Sequence, residues 1–159
     1  MNRPRWWRGE RGEWYFIAQI AAMILVFFGP RHLGQPPLPG TRLMTYVGGG
    51  MMAAGAWLLG ISMLALGVNQ SPLPRPTPDS SLVESGPYRF IRHPMYAGLV
   101  VLAFGWALVV RGRMTLLWAA LLLVALDIKS RHEERWLGER FAGYADYRRR
   151  VRRFIPFVY

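Results

Sequence analysis

Runs of apolar residues, and the short polar breaks between them, organise this chain. Residues 14–29 carry no charge and a single glutamine, Gln19. A helix of that length spans about 24 Å, slightly less than the hydrocarbon core of a bilayer, about 30 Å. Pro30 and Arg31 end it. Residues 43–67 give the strongest membrane signal, 25 positions without a charge. Within them Gly49 with Ala53, and Ala56 with Gly60, have the small-residue spacing that lets helices approach closely in lipid, so this helix is expected to pack against another. Residues 94–110 and 114–129 are two shorter apolar blocks separated by Arg111, Gly112 and Arg113. Two charges and a glycine at that midpoint favour a tight helical hairpin over one continuous helix. Gly98 and Gly105 are seven apart and share nearly one face, marking either close packing or room for a bound group.

The segments between these blocks differ in kind. At the start, Arg3, Arg5, Arg8 and Arg11 surround Trp6 and Trp7, a composition that fits an anchor at headgroup level. A signal peptide also begins basic and turns apolar, but no small-residue cleavage site follows the apolar run. Residues 30–42 are a loop rich in proline and glycine. In residues 68–93, Pro72, Pro74, Pro76 and Pro78 alternate with other residues and predict an extended path. Gly86-Pro87 then signals a turn. In the tail, residues 129–159, Trp136, Phe141, Tyr144, Tyr147 and Val151 recur at roughly helical spacing. They predict an interfacial amphipathic helix with a basic outer face, ended by Pro156. The expected fold is therefore all-α: one integral membrane helical domain with four transmembrane helices, 14–29, 43–67, 94–110 and 114–129, plus a C-terminal interfacial amphipathic helix.

Composition narrows the function classes. Of 159 residues 52% are hydrophobic and 18% are charged, against about 25% charged in an ordinary soluble domain. Cysteine is absent, which excludes a disulfide scaffold, a thiolate metal site and a cysteine nucleophile. A net charge of +11 on a polar domain would suggest nucleic acid. Here the basic residues bracket apolar blocks, so the expected partners are anionic membrane lipids and not nucleic acid. With four spans, sixteen of the twenty Lys and Arg residues fall on the side of the N-terminus, loop 68–93 and the tail, against four on the other. The positive-inside rule makes the first side cytoplasmic and the protein multi-pass, in the inner or cell membrane of a bacterial host. An odd number of spans would erase most of that bias.

Two segments concentrate polar chemistry. Tyr88, Arg92, His93 and Tyr96 stand just before or at the start of the third apolar block, with Pro94 suited to the first turn of its helix. The free N–H groups of such a turn can receive an anion. Alternatively Arg92 binds lipid phosphate and the tyrosines join an aromatic belt. The second segment, Arg131-His132-Glu133-Glu134, follows the fourth block. Its carboxylates could bind a cation or a ribose, or pair with neighbouring arginines. A hairpin between the third and fourth helices would bring both segments to one membrane depth on the cytoplasmic side. No HExxH or other spaced histidine pair suggests a metal, and no P-loop or nucleophile-elbow serine is present.

In order, these residues resemble the isoprenylcysteine carboxyl methyltransferase and phospholipid N-methyltransferase superfamily. The resemblance rests on Gly86-Pro87-Tyr88, Arg92-His93-Pro94, Tyr96, Gly98, Glu133-Glu134, Tyr144, Tyr147-Arg148 and Pro156, and it covers about residues 70–158. It implies an integral membrane enzyme that uses S-adenosyl-L-methionine, bound from the cytoplasmic side. It also implies a lipid-like acceptor entering from the bilayer. Carried over position by position, Tyr88, Arg92, His93, Pro94, Tyr96, Gly98, Glu133 and Glu134 fall on cofactor-binding positions. Arg148 matches an arginine that orients the acceptor, and Glu134 or His93 is a candidate proton acceptor for an amine. The implied reaction is methyl transfer to a carboxylate of the isoprenylcysteine type. A phospholipid or small amine acceptor, and a non-enzymatic lipid-binding scaffold, are the alternatives.

Overall fold

A computed structural model describes residues 12–34, 36–69 and 80–155. The arginine–tryptophan start, the alternating prolines at 72–78 and Pro156 lie outside the described residues. Five α-helices follow in order: α1 (Glu13–Phe28), α2 (Arg42–Leu66), α3 (Pro94–Val109), α4 (Arg113–Arg140) and α5 (Tyr144–Arg150). Short 3-10 turns occupy Gly67–Asn69 and Gly86–Arg89. Among the described residues the only β pairing is an isolated parallel bridge between Ile91 and Arg152.

The first three helices coincide with the apolar blocks to within a residue or two. Among the described residues one helix, Arg42–Asn69, is by length and composition long and apolar enough to cross a membrane. The others differ for separate reasons. α1 and α3 have 16 residues each. α4 has 28, about 42 Å, but its last third is charged.

Helix packing places α2, α3, α4 and α1 side by side in that order. The α2–α3 seam is built from backbone against backbone. A Cβ on Gly55 would sit 2.6 Å from the Gly98 carbonyl oxygen, and one on Gly98 would sit 2.8 Å from that of Gly55. Gly48 and Gly105 repeat the arrangement one heptad away, each 2.7 Å from the other's carbonyl oxygen. Close packing is thus the role of Gly98 and Gly105. On α2, however, Gly49 and Gly60 face open space, so the spacing noticed in the sequence is one residue out of register with the seam. The central core is Ala22, Val26, Ala103, Ala119, Leu122 and Leu126, where alanines let α1, α3 and α4 approach closely.

The hairpin forms as the sequence suggests. Arg111 adopts φ 51°, and the Gly112 N–H donates to the Ala107 carbonyl at 3.1 Å. The tail departs from expectation. It is not one interfacial helix: α4 continues through Glu133 and Glu134 to Arg140, the chain breaks at Phe141–Gly143, and α5 has seven residues. Tyr144, Tyr147 and Val151 are buried in a second cluster with Leu82, Leu137 and Phe141. The tail aromatics therefore pack on protein, because the interior cluster buries them more fully than a surface position would.

Candidate active site

The hairpin brings the start of α3 to the charged end of α4, and the tail locks onto both. The N–H of Arg92 donates to the Arg152 carbonyl at 2.7 Å and that of His93 to the Arg153 carbonyl at 3.1 Å. The Tyr147 hydroxyl donates to the Tyr88 carbonyl at 2.7 Å. Pro94 opens α3, where its missing N–H has no partner to lose.

The two adjacent glutamates have opposite fates. Glu134 is 4% exposed. One of its oxygens accepts from Arg92 Nε at 2.9 Å and Arg153 Nε at 3.1 Å, and lies 3.1 Å from His93 Nε2. The other accepts from Arg153 Nη2 at 3.2 Å. Burial alone would raise this carboxyl, but the hydrogen bonds from His93, Arg153 and Arg92 outweigh it and hold it far below the usual carboxylate range. Arg92 also donates to the Arg148 carbonyl at 3.1 Å and to the Val151 carbonyl, so it ties α5 down. It is committed inside the protein rather than to lipid phosphate. Glu133 instead accepts the Tyr96 hydroxyl at 2.7 Å, and the His93 ring stacks on Tyr96 with centroids 5.3 Å apart and planes 3° apart.

Glu133 faces a cavity of about 210 Å³. Helices α1 to α4 and the tail all contribute to its wall. Phe16, Gln19, Leu99 and Lys129 form one end, and Leu82, Leu137, Phe141, Tyr144 and Tyr147 contribute aromatic and aliphatic surface. Asn69, which also lines the cavity, accepts from the Ser81 N–H at 2.7 Å. Burial pushes the phenols of Tyr88, Tyr144 and Tyr147 above their ordinary value, so they remain neutral donors.

Of the residues singled out in the sequence, Tyr88, Arg92, His93, Tyr96 and Glu133 line this cavity. Pro94, Gly98, Glu134 and Arg148 do not. Gly98 is used against α2, and Pro94 is packed at the helix start. Arg148 is largely exposed and borders a separate surface hollow with Gly138 and Glu139. Its Nε lies 3.7 Å from Glu134. Glu134 is held ionised by its three partners and does not line the cavity, so it is badly placed to accept a proton from a ligand there. Lys129, Gln19 and Arg153 were missed. The Lys129 Nζ donates to Gln19 Oε1 at 2.7 Å, and Arg153 Nη1 reaches Asp127 at 3.2 Å. A signal for the first pair existed: Lys129 is the single lysine beside nineteen arginines, and Gln19 is the single amide in an apolar run.

A family model described as phospholipid methyltransferase matches residues 43–143, more than half of the chain. The chain belongs to the phospholipid methyltransferase family. The match to this family runs from α2 to the start of α5 and includes His93, Tyr96, Lys129 and both glutamates, whereas Gln19 and Arg153 fall outside it. A similar fold is found in the structure, determined without a monobody, of the eukaryotic intramembrane Ras methyltransferase, an isoprenylcysteine carboxyl methyltransferase. The TM-score is 0.63 at 22% identity, over 94% of this chain and 54% of that one. The chain thus spans about half the length of that protein, and the likeness is one of fold. No curated protein matches it by sequence. Both the family and the structural neighbour are methyltransferases, and the neighbour is an intramembrane one.

Proposed function

We propose that the chain is a membrane-embedded methyltransferase dependent on S-adenosylmethionine, acting on a lipid-like carboxylate of the isoprenylcysteine type at the cytoplasmic face. The observation that carries this reading is that one cavity is bordered by His93, by Tyr96 of α3 and by Glu133 of α4. The reading includes four membrane crossings with both termini cytoplasmic. It also includes anionic lipid headgroups against the exposed Arg89, Arg149 and Arg152.

The donor set fits the cofactor. Glu133 supplies negative charge for a cationic centre, and the faces of Tyr96 and Tyr88 suit it as well. Leu137, Phe141, Tyr144 and Tyr147 offer flat apolar surface for a purine. When bound, S-adenosylmethionine supplies a methyl group on a sulfonium, and transfer to a carboxylate oxygen leaves a neutral thioether and a methyl ester with no proton moved. The work of the protein is then alignment and exclusion of water. Tyr96 fixes the Glu133 carboxylate, His93 braces Tyr96, and Glu134 holds His93, Arg92 and Arg153 in place behind them.

The description of the family favours an amine acceptor as the second reading. An amine must shed a proton, and Glu134 is a poor base while three donors hold it ionised. The carboxylate is put first because its methylation asks no base of the protein.

Calorimetric titration of S-adenosylmethionine into the detergent-purified protein tests the reading. Saturable binding is expected. Glu133→Gln should weaken it about tenfold, the worth of one charge-assisted contact, with an unchanged melting curve. A folded sample that gives no heat up to millimolar cofactor refutes the assignment.

A further inference from the structure

We propose that Lys129, held by Gln19, selects the acceptor by binding its carboxylate within the cavity. This rests on the methyltransferase reading above and narrows it to an anionic acceptor. Lys129 is 3% exposed and lines the cavity. Its ammonium donates to Gln19 and lies 5.2 Å from the centroid of the Tyr96 ring and 5.7 Å from that of Phe16. It stands where the apolar run of α4 ends, and Gln19 reaches it from inside the apolar run of α1.

A buried ammonium is costly, and helix packing alone does not require it, since an aliphatic side chain would fill the same space. In the cavity that ammonium is placed to meet a carboxylate. Lysine is also the suitable cation here. Its compact, rotatable ammonium can turn towards a carboxylate in the cavity of about 210 Å³.

The order of charge along α4 specifies which ligand meets which residue. Glu133 follows Lys129 by one helical turn, about 6 Å along the axis, and both face the cavity. The wall therefore presents a cation beside the apolar helices and an anion towards the tail. An acceptor with an apolar chain and a carboxylate head matches the first, and a cationic donor matches the second. A protonated amine head in the acceptor position would meet Lys129 as a like charge. The carboxylate of the cofactor is the other conceivable partner of Lys129. The polar part of the wall, at Ser80 and Ser81 beside Tyr144 and Tyr147, suits that water-soluble molecule better.

The experiment uses the full chain in nanodiscs of zwitterionic lipid, with dodecanoate, dodecylamine and S-adenosylmethionine as probes. With the cofactor saturating, dodecanoate should bind at least tenfold more tightly than dodecylamine. Lys129→Met should lose about tenfold in dodecanoate affinity and abolish the preference, while Lys129→Arg keeps the preference. Cofactor affinity should change less than threefold in both. Should Lys129→Met not fold, Gln19→Leu should still weaken dodecanoate binding selectively. Unchanged dodecanoate affinity in the folded variants overturns the proposal. So does a parallel loss of cofactor affinity, which would give Lys129 to the carboxylate of the cofactor. Cofactor binding without any carboxylate preference removes this inference and leaves the methyltransferase reading standing. Absence of cofactor binding in the wild-type protein removes both.

Discussion

Glu133 and Glu134 are neighbours in sequence with different physical tasks, and the difference is testable. Glu134 joins Arg92, Arg153 and His93 in one buried network. Glu134→Gln strands those donors around a neutral amide and should cost about 3–5 kcal/mol of stability, the usual range for breaking a buried ion pair. The pH dependence follows from the direction of the shift. The folded carboxyl titrates far below its ordinary 4.5, so its contribution is complete above that value and is lost as the pH falls through the acid range. Thermal melting of the wild type should therefore drop steeply below about pH 4, and Glu134→Gln should flatten that part of the profile. A variant with the acid lability of the wild type would show that the network contributes little. In the sequence the two glutamates could be recognised as a pair but not divided. Which carboxylate turns inward depends on Arg153, 19 residues further on, and on the path of a tail that no periodicity specifies.

Glycines decide how α2 and α3 meet. The reciprocal pairs Gly55–Gly98 and Gly48–Gly105 bring two backbones within reach of each other's carbonyl oxygens. Gly98→Val inserts bulk against the Gly55 oxygen and the backbone of Leu59, which cannot withdraw, and should destabilise by about 1–3 kcal/mol. Gly49→Ala and Gly60→Ala meet open space and should be neutral or slightly stabilising, because alanine favours the helix. Thermal denaturation in one detergent compares them directly, and equal losses at all three positions would remove the seam from the argument. The helices themselves were legible from apolar runs ending at proline, glycine and arginine. The seam was legible only in part: small residues recur so often along α2 that spacing alone selected the face one residue away. Tail residues were harder still. Tyr144 and Tyr147 fit a helical period, yet their helix is seven residues long and their rings point into the protein.

At the scale of the molecule, charge and topology are one question. The hairpin at Arg111 and the loop before α2 meet at one end, where the Leu38 N–H donates to the Arg111 carbonyl at 2.9 Å. The Glu134 network and the tail stand at the other end, with most of the arginines. Four crossings with a basic cytoplasmic face are the proposed arrangement, and among the described helices α2 passes a simple test of length and hydropathy. The short α1 and α3 can still cross if arginines and tryptophans at their ends reach the interface and the bilayer thins locally. The chain has no cysteine, so single introduced cysteines report sidedness without background. Pro36→Cys lies in the exposed loop before α2, while Ser85→Cys and Arg149→Cys are exposed beside the cavity end. In intact cells a membrane-impermeant maleimide should label only the Pro36→Cys variant, and the other two should label after the membrane is opened. The same result is expected with the cofactor present, since none of these positions lines the main cavity. Labelling of Arg149→Cys together with Pro36→Cys in intact cells would require an even number of crossings between them, not the three that α2, α3 and α4 supply. The tail would then be separated from the start of α3, and with it would go the backbone pairing of Arg92 and His93 with Arg152 and Arg153, on which the closed end of the cavity depends.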